Sequence, residues 1–245
     1  MNDLHEIFQK YAALVIFDTE TTGLDARTDR IIELAALRIE QTDRGTLKVA
    51  SSIDLFVKLP DGQKIPEKIV DLTGITDAML DKEGMDEYTA AHTFRCMLGD
   101  AKGPVLLAAH NAQFDIHFAR EMLRRETHGG LEALEKADYL DTLTVYKDRA
   151  SYPHKLANAI CNYNLQDKVQ NSHRAIDDVA ALFEVIKAMD AERDDLLSYV
   201  NLFGYNPRYG VSGNRIDGVT YWPQHFNYGM QAPRYTLPAR AKRDE

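Results

Sequence analysis

Apolar runs with the spacing of strands alternate with helical apolar stripes along the first 190 residues of the chain. Runs with strand composition lie at 14–20, 30–40, 53–58, 104–109 and, more briefly, 139–141. Segments with helical spacing lie at 66–72, 76–82, 87–98, 115–127, 142–149, 154–162 and 173–190. Three strands followed by alternating helices and strands are typical of an α/β fold.

The first strand carries two acidic residues near its end. Leu14 to Phe17 form a short, apolar and partly β-branched run, and Asp18 and Glu20 follow it. Side chains alternate faces along a strand, so the two carboxylates project on the same side. Two like charges at close range repel each other, and a divalent cation such as Mg²⁺ or Mn²⁺ removes the repulsion. The alternative is a solvated strand end with two surface acids.

A third acid follows the strand near 104–109. Asp115 lies in the first turn of the next helix, and Phe118, Ala119 and Met122 follow at helical spacing. Asp115 therefore shares the side of the helix that faces the core. Taken alone, an acid in a first turn is equally explained by its favourable interaction with the helix dipole.

The last long helix carries adjacent aspartates, and its period distinguishes them. We expect the helix to begin near His173, with Asn171 or Ser172 as its N-cap. Its apolar stripe contains Ala175, Val179, Leu182, Ile186 and Met189. Asp178 falls at the rim of this stripe and Asp177 on the opposite side, which favours Asp178 as the functional residue. His173 is a candidate general base if it lies near metal-bound carboxylates, and otherwise a polar surface residue.

The net charge bears on which partners the chain can bind. The 245 residues carry a formal charge of −9, although residues 201–245 hold six Arg or Lys against three Asp or Glu. A negative net charge is unfavourable for a protein that binds nucleic acid along its whole length. It is less unfavourable for an enzyme that engages a few nucleotides and carries positive charge as metal ions.

No apolar run of membrane-spanning length and no signal peptide pattern occurs, which predicts a soluble, cytoplasmic protein without a membrane partner. Cys96 and Cys161 are interpreted as reduced thiols in the core.

The helical period disappears from Phe203 onward. Aromatic residues there alternate with Gly, Pro, Asn and Arg, which predicts an extended, loop-rich appendage at 201–245 beside a main domain at 1–200. The segment either provides a stacking surface for bases or a dimer contact, or it covers an apolar patch of the core. We favour the covering role.

Three motifs in order resemble those of the DnaQ-like 3′–5′ exonucleases of the DEDDh type. They are Phe-Asp-Thr-Glu-Thr-Thr-Gly at 17–23, His-Asn-Ala-Gln-Phe-Asp at 110–115 and His-Arg-Ala-Ile-Asp-Asp at 173–178. Residues 31–36, 65–76 and 141–143 also look like the proofreading branch of bacterial replicative polymerases. The resemblance covers roughly residues 10 to 190 and implies an RNase H-like fold, a five-stranded mixed sheet flanked by helices.

The resemblance also implies a chemistry and a role for each motif residue. It implies two Mg²⁺ ions, replaceable by Mn²⁺, bound by Asp18, Glu20, Asp115 and Asp178, with His173 as the general base. The expected substrate is the 3′ end of single-stranded or frayed DNA, released as nucleoside 5′-monophosphates.

The remaining motif positions are divided between substrate binding and structure. Thr22, Gly23 and Phe114 are expected to line the pocket for the last nucleotide. His110 and Asn111 are interpreted as structural, and His154 resembles a position that orients a helix. His5, His92, His117, His128 and His225 show no ligand spacing.

Other functions remain open at this stage. The same chemistry would serve an exoribonuclease that trims RNA 3′ ends, because only contacts to a 2′-OH separate the two substrates. A catalytically silent nucleic-acid-binding module and an enzyme that hydrolyses small nucleotide phosphodiesters are further alternatives. If the protein proofreads, we expect it to do so as a separate subunit or as a free-standing enzyme. The candidate protein partners are a polymerase and a second copy of the chain.

Overall fold

A five-stranded mixed sheet forms the centre of the computed structural model, which describes residues 4–99, 103–126, 131–169 and 174–224. Its strands are β1 (Ala13–Thr21), β2 (Ile31–Gln41), β3 (Leu47–Phe56), β4 (Val105–Ala109) and β5 (Asp138–Asp141). They lie in the order β3-β2-β1-β4-β5. The first three strands pair antiparallel, and β4 pairs parallel with β1 and β5. The predicted α/β architecture with a five-stranded mixed sheet is confirmed.

The central strands are buried on both faces, which explains their continuous apolar runs. Leu14 and Ile16 of β1 belong to one apolar cluster, whereas Val15 and Phe17 belong to the cluster on the other face. All five residues of β4 are buried. The sheet is therefore covered by helices on both sides, and β1 lies in its middle.

The helices in the described part of the chain agree closely with the apolar stripes. They are α1 (His5–Lys10), α2 (Glu67–Thr73), α3 (Asp77–Glu83), α4 (Glu87–Gly99), α5 (Ala112–Glu126), α6 (Leu131–Lys136), α7 (Thr142–Arg149), α8 (Leu156–Asn162) and α9 (Ala175–Glu192). The sequence did not predict the short helices α1 and α6. No helix among the described residues is both long and apolar enough to cross a membrane.

The beginning of α9 differs from the expectation. The expected N-caps, Asn171 and Ser172, lie outside the described residues, as does His173. The residue at the N-cap position is Arg174, and its own side chain does not cap the helix. A carboxylate from β2 takes this role, as described below.

The described part of the C-terminal appendage packs on the core. A 3₁₀ turn at Leu196–Tyr199 leads to β6 (Leu202–Tyr205), which pairs in parallel with β7 (Thr220–Pro223). Phe203 and Trp222 are buried in the two apolar clusters. Residues 202–224 thus cover apolar surface of the domain, and residues 225–245 lie outside the described residues.

The interpretation of the two cysteines as core thiols is wrong. Cys96 and Cys161 are both exposed, and they are not joined in a disulfide. Each lies near the solvent-facing side of a short or amphipathic helix, where the spacing of neighbouring apolar residues did not distinguish a buried position from an exposed one.

Candidate active site

Two of the predicted acids project from the central strand. Asp18 and Glu20 lie near the end of β1 and are partly buried. Phe17, which precedes Asp18, and Thr19, which lies between the two acids, are buried on the other face. In the antiparallel pair with β2, Ala35 lies opposite Asp18 and Glu33 lies opposite Glu20. Opposite residues of such a pair are close in space. The strand therefore presents two carboxylates on one face, opposite Ala35 and Glu33 of β2.

The helix α9 brings a third carboxylate to this pair. Asp178 is 8% exposed and lies in the first turn of α9, which packs against β1 and β2. Ligand oxygens of Asp18, Glu20 and Asp178 all lie within 4.8 Å of one another. Asp177 is only partly buried and does not belong to this group. The structure thus places Asp178, and not Asp177, with the acids of β1.

The fourth acid, Asp115, reaches the same strand from the opposite side. Its side chain is 3% exposed in the first turn of α5. Asp115 Oδ1 accepts hydrogen bonds from Thr19 N at 3.0 Å and from Thr19 Oγ1 at 2.7 Å. These bonds hold the Asp115 carboxylate at the central strand, where its charge acts on Asp18, although it lies outside the group of three acids whose oxygens are within 4.8 Å of one another.

The four carboxylates disturb one another strongly. Burial, followed by the charges of Asp115 and Asp178, raises the pKa of Asp18 well above its ordinary value. Burial and the charges of Asp178 and Glu33 raise the pKa of Glu20 to about 8. Burial raises the pKa of Asp115 to about 7, against the opposing effect of the Thr19 hydrogen bonds. Such a cluster retains protons at neutral pH unless a cation compensates its charge, and oxygen ligands in this number suit Mg²⁺ or Mn²⁺.

A buried ion pair anchors the beginning of α9 and was not identified from the sequence. Glu33 is fully buried, and its Oε1 accepts hydrogen bonds from Arg174 Nε at 2.7 Å and Nη2 at 2.6 Å. Glu33 Oε2 accepts a hydrogen bond from Ala175 N at 2.9 Å, and the Arg174 guanidinium lies 4.9 Å from the centre of the Phe56 ring. Glu33 therefore caps α9 one turn before Asp178. The one signal of this role in the sequence is an acid within the apolar run at 31–36.

A second buried carboxylate fixes the beginning of α5. Asp141 Oδ1 accepts hydrogen bonds from Asn111 N at 3.0 Å and Ala112 N at 3.1 Å, and Asp141 Oδ2 accepts one from Thr144 Oγ1 at 2.5 Å. The same side chain caps α7. Asn111 has a positive φ of 74°, a left-handed conformation that Asn tolerates better than most residues. These contacts determine where the first turn of α5, and with it Asp115, lies.

The histidine of the second motif belongs to this framework. His110 Nδ1 lies 3.0 Å from Thr142 Oγ1, and His110 Nε2 lies 2.9 Å from the main-chain oxygen of His154. His154 Nε2 in turn lies 2.9 Å from the main-chain oxygen of Ala150. Burial lowers the pKa of His110. These contacts are structural, and neither histidine belongs to the group of carboxylates.

The residues expected to bind the last nucleotide flank the acids. Thr22 is buried, and its Oγ1 lies 3.3 Å from Asp29 Oδ1. A Cβ at Gly23 would lie 2.3 Å from Asp29 Oδ2, so a side chain there would displace Asp29 from its contacts in this turn. Phe114 is partly buried, and its ring centre lies 4.8 Å from that of Phe118. The turn after β1 and the first turn of α5 thus form the two sides of the site.

Comparison with protein families identifies the domain. Residues 15–186, which include all of α5 and most of β1 and α9, match the model of the RNase_T family, described as "Exonuclease". The chain belongs to this exonuclease family. The family prediction from the three motifs is therefore confirmed.

The relatives of this exonuclease domain are segments of much larger proteins. It is 35% identical over 196 residues to DNA polymerase III PolC-type of Halalkalibacterium halodurans, a match that covers 77% of this chain and 12% of the relative. It is 34% identical over 187 residues to DNA polymerase III PolC-type of Bacillus subtilis, covering 74% of this chain and 11% of the relative. The chain thus spans about an eighth of the length of the polymerases it matches.

Solved structures of exonuclease I share the fold. The structure of E. coli exonuclease I in complex with a dT13 oligonucleotide matches with a TM-score of 0.65 and 19% identity, covering 77% of this chain and 43% of that one. Exonuclease I from Methylocaldum szegediense matches with a TM-score of 0.62 and 20% identity, covering 77% and 42% of the two chains. The expected RNase H-like fold is confirmed by this likeness.

Proposed function

We propose that the chain is a divalent-metal-dependent 3′–5′ exonuclease that removes nucleoside 5′-monophosphates from single-stranded or frayed DNA. One observation carries the proposal: the carboxylates of Asp18, Glu20 and Asp178 lie within 4.8 Å of one another in a partly buried site. The fold alone does not require such an arrangement, and a group of acids with raised pKa values is unstable without a cation. Membership of the exonuclease family supports phosphodiester hydrolysis as its use.

We propose that the carboxylates hold two ions of Mg²⁺, for which Mn²⁺ can substitute. Asp18, Glu20 and Asp178 would hold one ion, and Asp18 and Asp115 the other. When bound, the ions supply positive charge at the scissile phosphate and lower the pKa of water. The hydrogen bonds from Thr19 orient Asp115, and the Glu33–Arg174 pair keeps α9, with Asp178, against β1.

His173 is the general base of this proposal. It lies outside the described residues and directly precedes Arg174, which Glu33 anchors beside the site. Its role is to accept the proton of the attacking water, for which an unperturbed imidazole pKa near the working pH is suited. Thr22, Gly23 and Phe114 line the position of the terminal nucleotide, and the turn at Gly23 closes the path beyond it.

The named relatives and neighbours support DNA as the substrate. The relatives are DNA polymerases, and exonuclease I was solved with dT13 and dA16 oligonucleotides. We therefore propose a single-stranded DNA 3′ end as the substrate and a DNA polymerase as the partner that exposes it. Degradation of RNA in preference to DNA of the same sequence would contradict this choice.

Digestion of end-labelled oligonucleotides tests the activity. With Mg²⁺, DNA labelled at its 5′ end should shorten one nucleotide at a time, whereas DNA labelled at its 3′ end should lose its label in the first step. EDTA and the substitution Asp18→Asn should abolish both reactions. Random internal cuts, or release of the 5′ label first, would refute the proposal.

Blocked ends test the direction independently. A pocket that closes around the last nucleotide requires a free 3′-OH, so circular single-stranded DNA and DNA with a 3′-phosphate should resist degradation. Rapid cleavage of the circle would identify an endonuclease.

A further inference from the structure

A cavity of about 380 Å³ lies between the turn that follows β1 and the first turns of α5. Its walls come from the loop between β1 and β2, from the first turns of α5 and from the loop at 212–214 of the appendage. Leu24 in the first wall directly follows the turn at Gly23, and Phe114 in the second directly precedes Asp115. The cavity therefore begins where the proposed position of the terminal nucleotide ends.

The third wall is held in place by α5. Gln113 Nε2 donates hydrogen bonds to the main-chain oxygens of Ser212 and, at 3.3 Å, Asn214. Gly213 between them has a positive φ of 72°, and a Cβ there would lie 3.3 Å from His117 Nε2. This wall lies beyond residue 186, where the match to the family model ends.

The lining combines an aromatic surface with the imidazole of His117. The rings of Phe114 and Phe118 lie 4.8 Å apart and contribute the aromatic surface. His117 Nε2 is buried and has no hydrogen-bond partner among the described residues. Burial lowers the pKa of His117, against an opposing effect of the Asn214 main chain, which favours the neutral imidazole. The neighbouring acid Glu121 is already paired with Arg124 at 2.7 Å.

A nucleobase has the matching chemistry. Its faces are apolar and stack on aromatic rings, while its edge carries donors and acceptors that a neutral imidazole can meet. We infer that this cavity binds the base of the penultimate nucleotide, between α5 and the loop at 212–214. The inference rests on the proposed exonuclease function and assigns to the appendage a part in substrate binding in addition to covering the core.

A cationic side chain and, nearby in the sequence, an exposed aromatic ring accompany the cavity. Arg27 lines the cavity and is exposed, and the acids Asp25 and Glu121 also line it. Three positions before Ser212, Tyr209 is 76% exposed, and the Arg208 guanidinium lies 5.5 Å from the centre of its ring. A cationic group beside an exposed aromatic ring is suited to the phosphate and base of a single strand.

The substitution His117→Leu tests the assignment, because it removes the polar edge and retains much of the volume. Two substrates distinguish an effect on binding in the cavity from an effect on hydrolysis. They are the oligonucleotide (dT)10 and the p-nitrophenyl ester of thymidine 5′-monophosphate, which has a single nucleoside. We expect kcat/KM for (dT)10 to fall by about 3- to 10-fold, mainly through KM, since the polar contact to the base is lost while the stacking surface of Phe114 and Phe118 is retained. Hydrolysis of the nitrophenyl ester should change less than twofold. Gln113→Ala, which releases the loop at 212–214, should act in the same way, and His92→Leu on the exposed face of α4 is the matched control.

Abasic oligonucleotides make the test independent of any general effect of the substitution on structure. For the wild-type protein, loss of the base next to the 3′-terminal nucleotide should raise KM at least as much as His117→Leu does, because it removes the stacking as well as the polar contact. For His117→Leu, the same abasic site should raise KM by less than it does for the wild-type protein, because the polar contact is already lost. Additive effects, or equal sensitivity at every position of the oligonucleotide, would overturn the assignment.

Direct binding separates this inference from the proposed activity. Fluorescence anisotropy of labelled (dT)10 in EDTA requires no hydrolysis. If the wild-type protein binds without cutting and the His117→Leu and abasic effects are non-additive, the cavity assignment stands while the exonuclease proposal fails. If hydrolysis proceeds and neither change weakens binding, the exonuclease proposal stands and the cavity assignment is refuted.

Discussion

At the scale of single residues, the adjacent aspartates of α9 provide a sharp test of the proposed metal site. Asp178 is 8% exposed and lies with Asp18 and Glu20, whereas Asp177 lies outside this group. We expect Asp178→Asn to lower kcat by about 100-fold or more, because a carboxylate that holds a cation is lost. Asp177→Asn is the matched control and should retain activity. Metal-dependent hydrolysis of labelled DNA by the purified variants measures both effects, and an inactive Asp177→Asn with an active Asp178→Asn would reverse the assignment.

The proposed general base provides a second prediction at this scale. His173→Ala should lower kcat by about 10²- to 10⁴-fold and leave binding of Mn²⁺ nearly unchanged. The matched control is His92→Ala, at an exposed position on α4. Single-turnover hydrolysis at neutral pH, with Mn²⁺ affinity measured by calorimetry, separates the loss of a base from the loss of a metal ligand. Near-normal turnover by His173→Ala would refute the role.

At the scale of elements, the beginning of α9 depends on Glu33 of β2. Glu33→Gln removes the charge that pairs with Arg174 but retains an oxygen for Ala175 N. Breaking a buried pair destabilises a protein by about 3–5 kcal/mol, and we expect less here, about 1–3 kcal/mol, because Arg174 is partly exposed and can turn to water. Urea unfolding measures this change. The exposed pair of Glu132 with Lys136 supplies the control, Glu132→Gln, for which we expect little effect.

Activity distinguishes positioning by Glu33 from a purely structural role. If the pair positions Asp178, kcat should fall in Glu33→Gln at temperatures where the variant is fully folded, while KM for the oligonucleotide changes little. Normal kcat in the folded variant would show that the pair stabilises the domain without positioning the site.

The elements themselves show what local patterns can predict. The strands and long helices follow from apolar periodicity, and the limits of α4 and α7 agree with the predicted ones to within a residue. The short helix α1, with only Ile7 buried within it, carries too few turns for a periodic signal. The pairing of β6 with β7 depends on strands 14 residues apart in a segment of irregular composition, and no local pattern indicated it.

At the scale of the whole molecule, the acidic site links stability to pH. The pKa of Glu20 is raised from 4.5 to about 8 in the folded protein, so between these values the unfolded chain releases a proton that the folded protein retains. In EDTA, the proton that Glu20 retains in the folded protein should therefore contribute to the free energy of unfolding. This contribution should be complete below about pH 4.5 and be lost as the pH rises through 8. Asp115, with a pKa of about 7, acts in the same direction.

Thermal unfolding from pH 5 to 8.5 measures this linkage. The fall in Tm with rising pH should be smaller in Glu20→Gln, which lacks the titrating carboxyl group, and smaller in the wild-type protein with Mg²⁺ than with EDTA. An equal fall in the wild-type protein and Glu20→Gln would show that Glu20 does not titrate in this range.

Taken by itself, the sequence determined the features that depend on local geometry. A strand places alternate residues on one face, so Asp18 and Glu20 had to lie side by side, and the period of α9 separated Asp178 from Asp177. Tertiary structure alone decided which distant groups complete the site. Glu33 meets Arg174 across 141 positions of the chain, and the loop at 212–214 meets α5 across about 100. Those contacts arise from the register of β2 on β1 and from the packing of the appendage on the core, which no periodicity within a segment encodes.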